Sequence, residues 1–431
     1  MYSPAEEIRR GKAARKRREG MKYFGKWMLG IFIAILVVVV FGVTAVVVSH
    51  NVNTKSEISA LKKAGLYRLV TVETDRKMNV ASYGNLESNE IFVPISGLGV
   101  QNFSVFMQHI LEPVKEKVGA VFVDRAGCGY SDDSTHKQTV EQIVDDYRKA
   151  LEKSGVEGPY ILVAHEFGGV YASYWAAQYP EDIKGIVYLD ATDLEMAESL
   201  VDLQPSNEDK VRSMLFKFGF QRIFYNDYYP YVAKSLTKQE SVCSRALNVH
   251  SVLTQAHLSE LSLAKTNYDS VFENYEANNV PKLYVSASNG FSTNKDVIKY
   301  FEYLNVQREE LGLPQYYDFE QEEEMINKDI EEFLAASDER FANTEEFAAL
   351  LGNCIVTKMP GHVAIYEQKT EGIKDLLMDY VAVLNNVKDA EMRDYYDDFK
   401  AVNWENYQEE HENNMAESTA PTEEATEPAE D

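Results

Sequence analysis

From Trp27 to Ser49 no position carries a charge. At roughly 1.5 Å of helical rise per residue, such a run is long enough for a hydrocarbon core of about 30 Å. It follows a basic segment, residues 1–26, in which Arg9, Arg10, Lys12, Arg15, Lys16, Arg17, Arg18, Lys22 and Lys26 oppose only Glu6, Glu7 and Glu19. The pattern predicts a single transmembrane helix over residues 27–49, with the basic flank in the cytoplasm and everything after His50 outside. A cleaved signal peptide is the rival reading. Its apolar stretch would be only about 7–15 residues with a small-residue cleavage site behind it. The run here is longer and no convincing site follows, so an uncleaved anchor in the cell membrane is expected. Residues 50–66 are polar and helix-compatible, a connector.

Past the connector the apolar positions fall into short runs. Tyr67–Glu73 and Lys77–Tyr83 pattern as a β-hairpin, and Glu90–Ser96, Val118–Asp124, Tyr160–Ala164, Gly185–Asp190, Pro281–Ala287 and Asn353–Met359 as further strands. Helices are predicted over Phe103–Lys117 and Ile373–Leu384. Another is predicted where Val140, Ile143, Val144, Tyr147, Ala150 and Leu151 recur at helical spacing, with Thr139 and Gln142 as a capping box and Gly155 as the stop. Strands that alternate with helices after the first hairpin predict an α/β fold with a mostly parallel, eight-stranded sheet. Two segments interrupt the alternation. Residues 191–279 are mostly helical and hold Phe216, Phe218, Phe220, Phe224, Tyr225, Tyr228, Tyr229 and Tyr231. These aromatics read either as that segment's own core or as the lining of an apolar pocket. Residues 291–350 form a long acidic, helical insertion. The tail, residues 403–431, is acidic without Lys or Arg and is expected to be disordered.

Composition narrows the class. The 431 residues are 45% hydrophobic, enough for a folded unit of about 250–300 residues with additions. A formal charge of −26 argues against a nucleic-acid partner. Cys128, Cys243 and Cys354 form no C-x-x-C pair and no metal spacing, and neither a metal nor a cofactor is expected.

The chemistry gathers at Tyr160-Ile161-Leu162-Val163-Ala164-His165-Glu166-Phe167-Gly168-Gly169. A buried strand runs into small residues, Ala164 and Gly168, two places either side of Glu166, and an Ala-rich apolar helix follows from Val170 to Tyr179. Strand, sharp turn and helix push the middle side chain out above the sheet, the geometry of a nucleophile elbow. Three other stretches matter. They are Ser96-Gly97-Leu98-Gly99, Asp124-Arg125-Ala126-Gly127-Cys128-Gly129-Tyr130-Ser131 and Met359-Pro360-Gly361-His362.

With these motifs the chain resembles the α/β-hydrolase family from about Tyr67 onward, most closely in Ile91–Asp190 and Val280–Tyr380. The family usually has His-Gly where Ser96-Gly97 stands. Its D-x-R-G-x-G-x-S loop is matched with the Arg one place early, and its P-G-x-H loop with one residue fewer. At the middle of the elbow it usually carries Ser, sometimes Asp or Cys; here it is Glu166.

The resemblance implies an α/β-hydrolase domain over residues 67–402, an eight-stranded sheet flanked by helices, with a helical cap over 191–279. It places the base at His362 and oxyanion-hole donors at Gly97, Leu98 and Phe167, and gives His165 a structural role. The usual place for the acid, Ser286-Ala287-Ser288-Asn289-Gly290, has no carboxylate. Asp190 matches an alternative place; Asp193 and Asp296 are weaker candidates. A carboxylate at the elbow resembles the Asp nucleophile of epoxide hydrolases and haloalkane dehalogenases. It can displace a leaving group at saturated carbon and form an ester, which water activated by His362 would hydrolyse. Acting as a base on water, it could also serve ester hydrolysis. Halide chemistry is disfavoured because Trp27, Trp175 and Trp404 all lie outside the cap.

The expectation is therefore a membrane-tethered, extracytoplasmic hydrolase of a small apolar substrate, epoxide- or ester-type, with catalytic Glu166, His362 and Asp190. The alternative is a catalytically inactive member that binds or senses. Glu166 for Ser, Ser96 for His and the missing acid support it, while His362, Gly168 and Gly169 count against simple decay.

Overall fold

The apolar run forms a helix that does not stop where the run stops. Helix α1 extends from Pro4 to Ala64 over 61 residues. Every residue from Met21 to Ala45 is exposed, so most of the uncharged stretch has nothing packed on it; Val46 and Val47, near its end, are half-buried. A helix of that kind is long and apolar enough to cross a membrane. Its last turns behave differently: Leu61 is fully buried, and Gln108 donates to the Ala64 carbonyl at 2.8 Å. The computed structural model describes residues 4–73, 76–225, 235–288, 291, 293–310, 312–319, 323–361, 363–386 and 392. The predicted tail and Tyr228, Tyr229 and Tyr231 lie outside the described residues.

Eight strands follow: β1 Leu69–Thr71, β2 Lys77–Gly84, β3 Ile91–Ile95, β4 Gly119–Val123, β5 Tyr160–His165, β6 Ile183–Leu189, β7 Lys282–Ser288 and β8 Cys354–Gly361. They form one sheet in the order β1-β2-β4-β3-β5-β6-β7-β8, antiparallel at β1–β2 and β2–β4 and parallel from there on. Strands β3, β4 and β5 are buried at every position, as expected of strands covered on both faces. Period-two alternation divides their side chains between two layers. Leu162 and Ala164 meet Tyr147 and Trp175 on one side; Ile161 and Val163 meet Phe106 and Leu377 on the other.

The covering helices are α2 Phe103–Leu111, α3 Val140–Ser154 and α4 Gly168–Gln178. Helix α2 is shorter than its apolar pattern, because a 3₁₀ turn carrying Pro113 takes over at Glu112. Gly155 ends α3 in the left-handed region at φ 78°. The capping box at its start is only half made. Thr139 accepts from the Gln142 amide at 3.4 Å, while the Gln142 side chain donates to Asp146 instead.

Between β6 and β7 lie α5 Leu194–Glu198, α6 Asn207–Phe216, α7 Lys238–Ser251, α8 Gln255–Leu261 and α9 Ala264–Phe272. The acidic insertion is a helix pair, α10 Asn294–Glu310 and α11 Glu323–Leu351, around a small core of Phe291, Val297, Phe301, Tyr317, Ile326 and Ile330. After β8 come α12 Ile365–Gln368 and α13 Thr370–Asn386.

Candidate active site

Glu166 sits between β5 and α4 with φ 49°, a left-handed backbone that an L residue adopts only when its surroundings impose it. The constraint is visible on both sides. The Glu166 amide donates to Leu189 at 3.2 Å, and its carbonyl accepts from Gly169 at 3.0 Å and Thr192 at 3.1 Å. The small residues after it are required by contact. A methyl on Gly168 would come within 2.3 Å of the Ile95 carbonyl oxygen, and one on Gly169 within 2.6 Å of the Ala191 Cβ.

The Glu166 side chain lies over the turn after β3. A methyl on Gly97 would stand 2.2 Å from Glu166 Oε2 and 2.8 Å from its Cβ, so only glycine leaves room for this carboxyl group. Gly97 and Glu166 are thus neighbours. Leu98 is half-buried against the core, and Phe167, wholly buried, meets the Tyr171 ring edge-on at the start of α4.

Asp190, at the end of β6, is also fully buried and left-handed, with φ 45°. Its amide donates to Val285 at 2.8 Å and its Oδ1 accepts from Ala287 at 3.0 Å, which aligns the carboxylate along the end of β7. Burial, then the nearby Asp190 charge, pushes the Glu166 carboxyl up to about 7, against an opposing pull from Arg125. His362 lies outside the described residues. His165 is buried, with its Nε2 3.0 Å from the Val363 carbonyl oxygen and its ring edge-on to Tyr366. Asp193 and Asp296 are occupied elsewhere. Asp193 caps α5 and pairs with Arg340 of α11, and Asp296 accepts from the Thr293 amide ahead of α10.

The sequence motif contained Arg125 but gave no sign of its work. Its Nη1 donates to the Ser96 carbonyl and hydroxyl oxygens at 2.8 and 2.9 Å, and its Nη2 to the Gly97 carbonyl at 3.0 Å. Its Nε faces Glu260 of α8 at 2.7 Å, and Tyr171 of α4 donates to the same carboxylate at 2.9 Å. Asp124, beside it, turns to the loop, accepting from Asn79 and from the Tyr130 amide, and burial lifts its carboxyl to about 6. A solitary Glu on an otherwise unremarkable helix has no motif, so Glu260 was not legible.

Comparison with known proteins bears on the fold. The sequence profile of the alpha/beta hydrolase fold family matches residues 101–236. The uncharacterized protein YbdG of Bacillus subtilis is 30% identical over 236 residues, covering 53% of this chain and 70% of YbdG. A cis-3-alkyl-4-alkyloxetan-2-one decarboxylase of Shewanella oneidensis is 30% identical over 118 residues, 27% of this chain and 36% of that enzyme. The solved structure of an epoxide hydrolase superposes over 74% of this chain and 99% of its own, with a TM-score of 0.47 and 12% identity. The chain belongs to the α/β hydrolase fold family.

Proposed function

We propose that the protein is a membrane-anchored, extracytoplasmic hydrolase of a small apolar substrate, in which the Glu166 carboxylate attacks carbon. The observation that carries this is the seating of Glu166: a forced elbow backbone with one carboxylate oxygen packed over Gly97. A carboxylate has two oxygens. One can rest in the turn that binds an oxyanion in serine members, leaving the other for substrate. That arrangement suits a strained oxygen ring, where the bond from carbon to ring oxygen breaks as the ester to Glu166 forms. Water activated by His362 then attacks the ester, and Asp190 orients the imidazole. The named activity of the Shewanella relative is on an oxetan-2-one, such a ring. The helices between β6 and β7 act as the cap, and α1 as the anchor.

The position of Glu166 Oε2 also favours a second reading, a binding or sensing domain. For an ester substrate the acyl oxyanion would need the space this oxygen fills. The test is a panel of aliphatic epoxides, oxetan-2-ones and p-nitrophenyl esters with the full chain in detergent and its Glu166→Gln variant. Ring opening that the variant lacks supports the hydrolase. Ester turnover alone favours Glu166 as base, and inactivity on all three classes favours the binding domain.

A further inference from the structure

A second surface lies away from Glu166, where α1 leaves its apolar run. His50 is the first residue beyond Ser49 and is held on the folded part of the chain. A methyl on Gly219 would fall 2.4 Å from the His50 Cβ, and Arg222 Nε donates to His50 Nδ1 at 3.0 Å. The same guanidinium donates to Glu57 at 2.6 and 2.7 Å and to Thr54 at 3.2 Å. His250 and Tyr130 each reach Glu57 Oε2 at 3.2 Å. The turn that follows α6 is therefore clasped to α1 through Gly219 and Arg222, from His50 at the end of the apolar run to Glu57 beyond it.

α6 and this turn, residues 207–224, hold apolar side chains outward. Phe218 is 53% exposed, Ile223 62%, Phe224 45%, Met214 59% and Val211 54%. Phe218 and Ile223 are the chain neighbours of the two residues that touch His50. Lys210, Arg212 and Lys217 are interspersed and exposed, while the acidic Glu208 and Asp209 are confined to the first turn of α6, where Glu208 pairs with Arg212. Apolar side chains with basic ones among them, at the depth where a spanning helix emerges, match the composition of an interfacial segment. Large apolar side chains gathered in one exposed segment call for a covering surface, and the continuation of the uncharged helix supplies it.

We propose that residues 207–224 rest in the headgroup–acyl boundary of the bilayer that α1 spans, burying Val211, Met214, Phe218, Ile223 and Phe224 in lipid. This rests on the anchor reading given above. The clasp through Arg222 then fixes the height of the cap over the membrane, and the segment offers an apolar substrate a route from the lipid phase.

The test uses the full chain in phosphatidylcholine nanodiscs, in a Cys354→Ser background whose other two cysteines are buried. Single variants Phe218→Cys, Ile223→Cys, Phe32→Cys and Glu331→Cys carry an environment-sensitive fluorophore and are read with and without lipids brominated high on the acyl chain. The expected result is a blue-shifted emission, quenched by the brominated lipid, at 218, 223 and 32 but not at 331. Adding Arg222→Ala should weaken quenching at 223 and leave it intact at 32. Quenching at 32 with none at 218 or 223 overturns the proposal while leaving the anchor standing. No quenching at 32 overturns the anchor reading and this proposal with it. Ready disulfide formation between copies through Ile223→Cys would show that a second copy covers the patch, which also overturns it.

Discussion

Arg125 and Glu260 face each other at 2.7 Å, each side chain only 4% exposed. Two charges so withdrawn from water depend on each other. Removing one partner of a buried pair typically costs about 3–5 kcal/mol, because the survivor keeps its desolvation penalty without compensation. Arg125→Met should therefore lower unfolding free energy by about that amount. Arg125→Met with Glu260→Gln should recover much of the loss, since glutamine still accepts from Tyr171. Denaturant titration of the two variants decides this. Equal stability of single variant and wild type would contradict the pairing.

Gly97→Ala probes the seat of the carboxyl group. The added methyl meets Glu166 at its Cβ as well as at its oxygen, so a change of the outer torsions alone cannot relieve it. The side chain has to swing out of line, and a misplacement of about 1 Å can cost on the order of 10²-fold in rate. We expect a loss of that size in kcat on whichever ring substrate is turned over, with the fold retained by circular dichroism. Unchanged kcat would mean that the seating is incidental.

The pH dependence has a definite sign. In the unfolded chain the Glu166 carboxyl ionises near its ordinary 4.5, and in the folded chain near about 7. Below 4.5 both forms are protonated and its contribution is fully present. Between 4.5 and 7 the folded chain holds the proton that the unfolded chain has lost, so stability falls as pH rises. Allowing for partial exposure, the loss is on the order of 2 kcal/mol. Glu166→Gln should escape it, its Tm advantage over wild type growing from pH 4.5 to 7 and then levelling. If the carboxylate is the attacking group, kcat/KM should rise through the same range; a rate that falls there would contradict its role.

The proposed ester to Glu166 can be tested by trapping. With His362→Gln, attack on an epoxide or oxetan-2-one should proceed while hydrolysis of the ester does not. Mass spectrometry of a digest should then find the substrate's mass on the peptide containing Glu166. A base role predicts loss of activity in both Glu166→Gln and His362→Gln with no adduct.

The clasp on α1 should hold at neutral pH and loosen as the pH falls below 6.5. Burial alone would raise the Glu57 carboxyl, yet the hydrogen bonds from Arg222 hold it at about 2, and burial followed by the Arg222 charge lowers His50 to about 4. Glu57 stabilises the docked state above its unfolded pKa of 4.5, and that contribution disappears only as pH falls toward 2. His50 sets a nearer limit: undocked it takes up a proton below 6.5 that it resists when docked, so its contribution is full above 6.5 and is lost as pH falls toward 4. Hydrogen exchange at residues 50–60, after correction for intrinsic rates, should be flat from pH 7 to 8 and faster at pH 5. Arg222→Ala should speed it by about 10-fold or more, in line with about 1.5–3 kcal/mol for hydrogen bonds to a charged group.

The sheet was legible because its strands are short apolar runs with helical spacing between them, a local property. The elbow was legible because Ala164, Gly168 and Gly169 stand at fixed local spacing around Glu166, although the contacts that demand glycine at 168 and 169 come from Ile95 and Ala191, far off in the chain. What the sequence could not show is pairing across distance. Nothing near Arg222 names Glu57, and nothing near Asp193 names Arg340, although each makes its partner's burial tolerable. The half-made capping box at α3 is a smaller instance. Gln142 has the right type and spacing, but Asp146, one turn on and held by Arg76, offers its amide a stronger acceptor.

Because Glu260 closes the arginine network that holds the Ser96-Gly97 turn, the order of synthesis matters. Strands β3, β4 and β5 leave the ribosome before α8 exists, with β7 and β8 still to come. During that interval the Arg125 guanidinium has no carboxylate waiting for it, and the edge of β6 is open. A nascent chain stalled or cut ahead of Glu260 is left with six of the eight strands, an uncompensated charge and an exposed strand edge, the kind of species that chaperones and proteases recognise. Translation through α8 is thus the point after which the site end of the sheet can close.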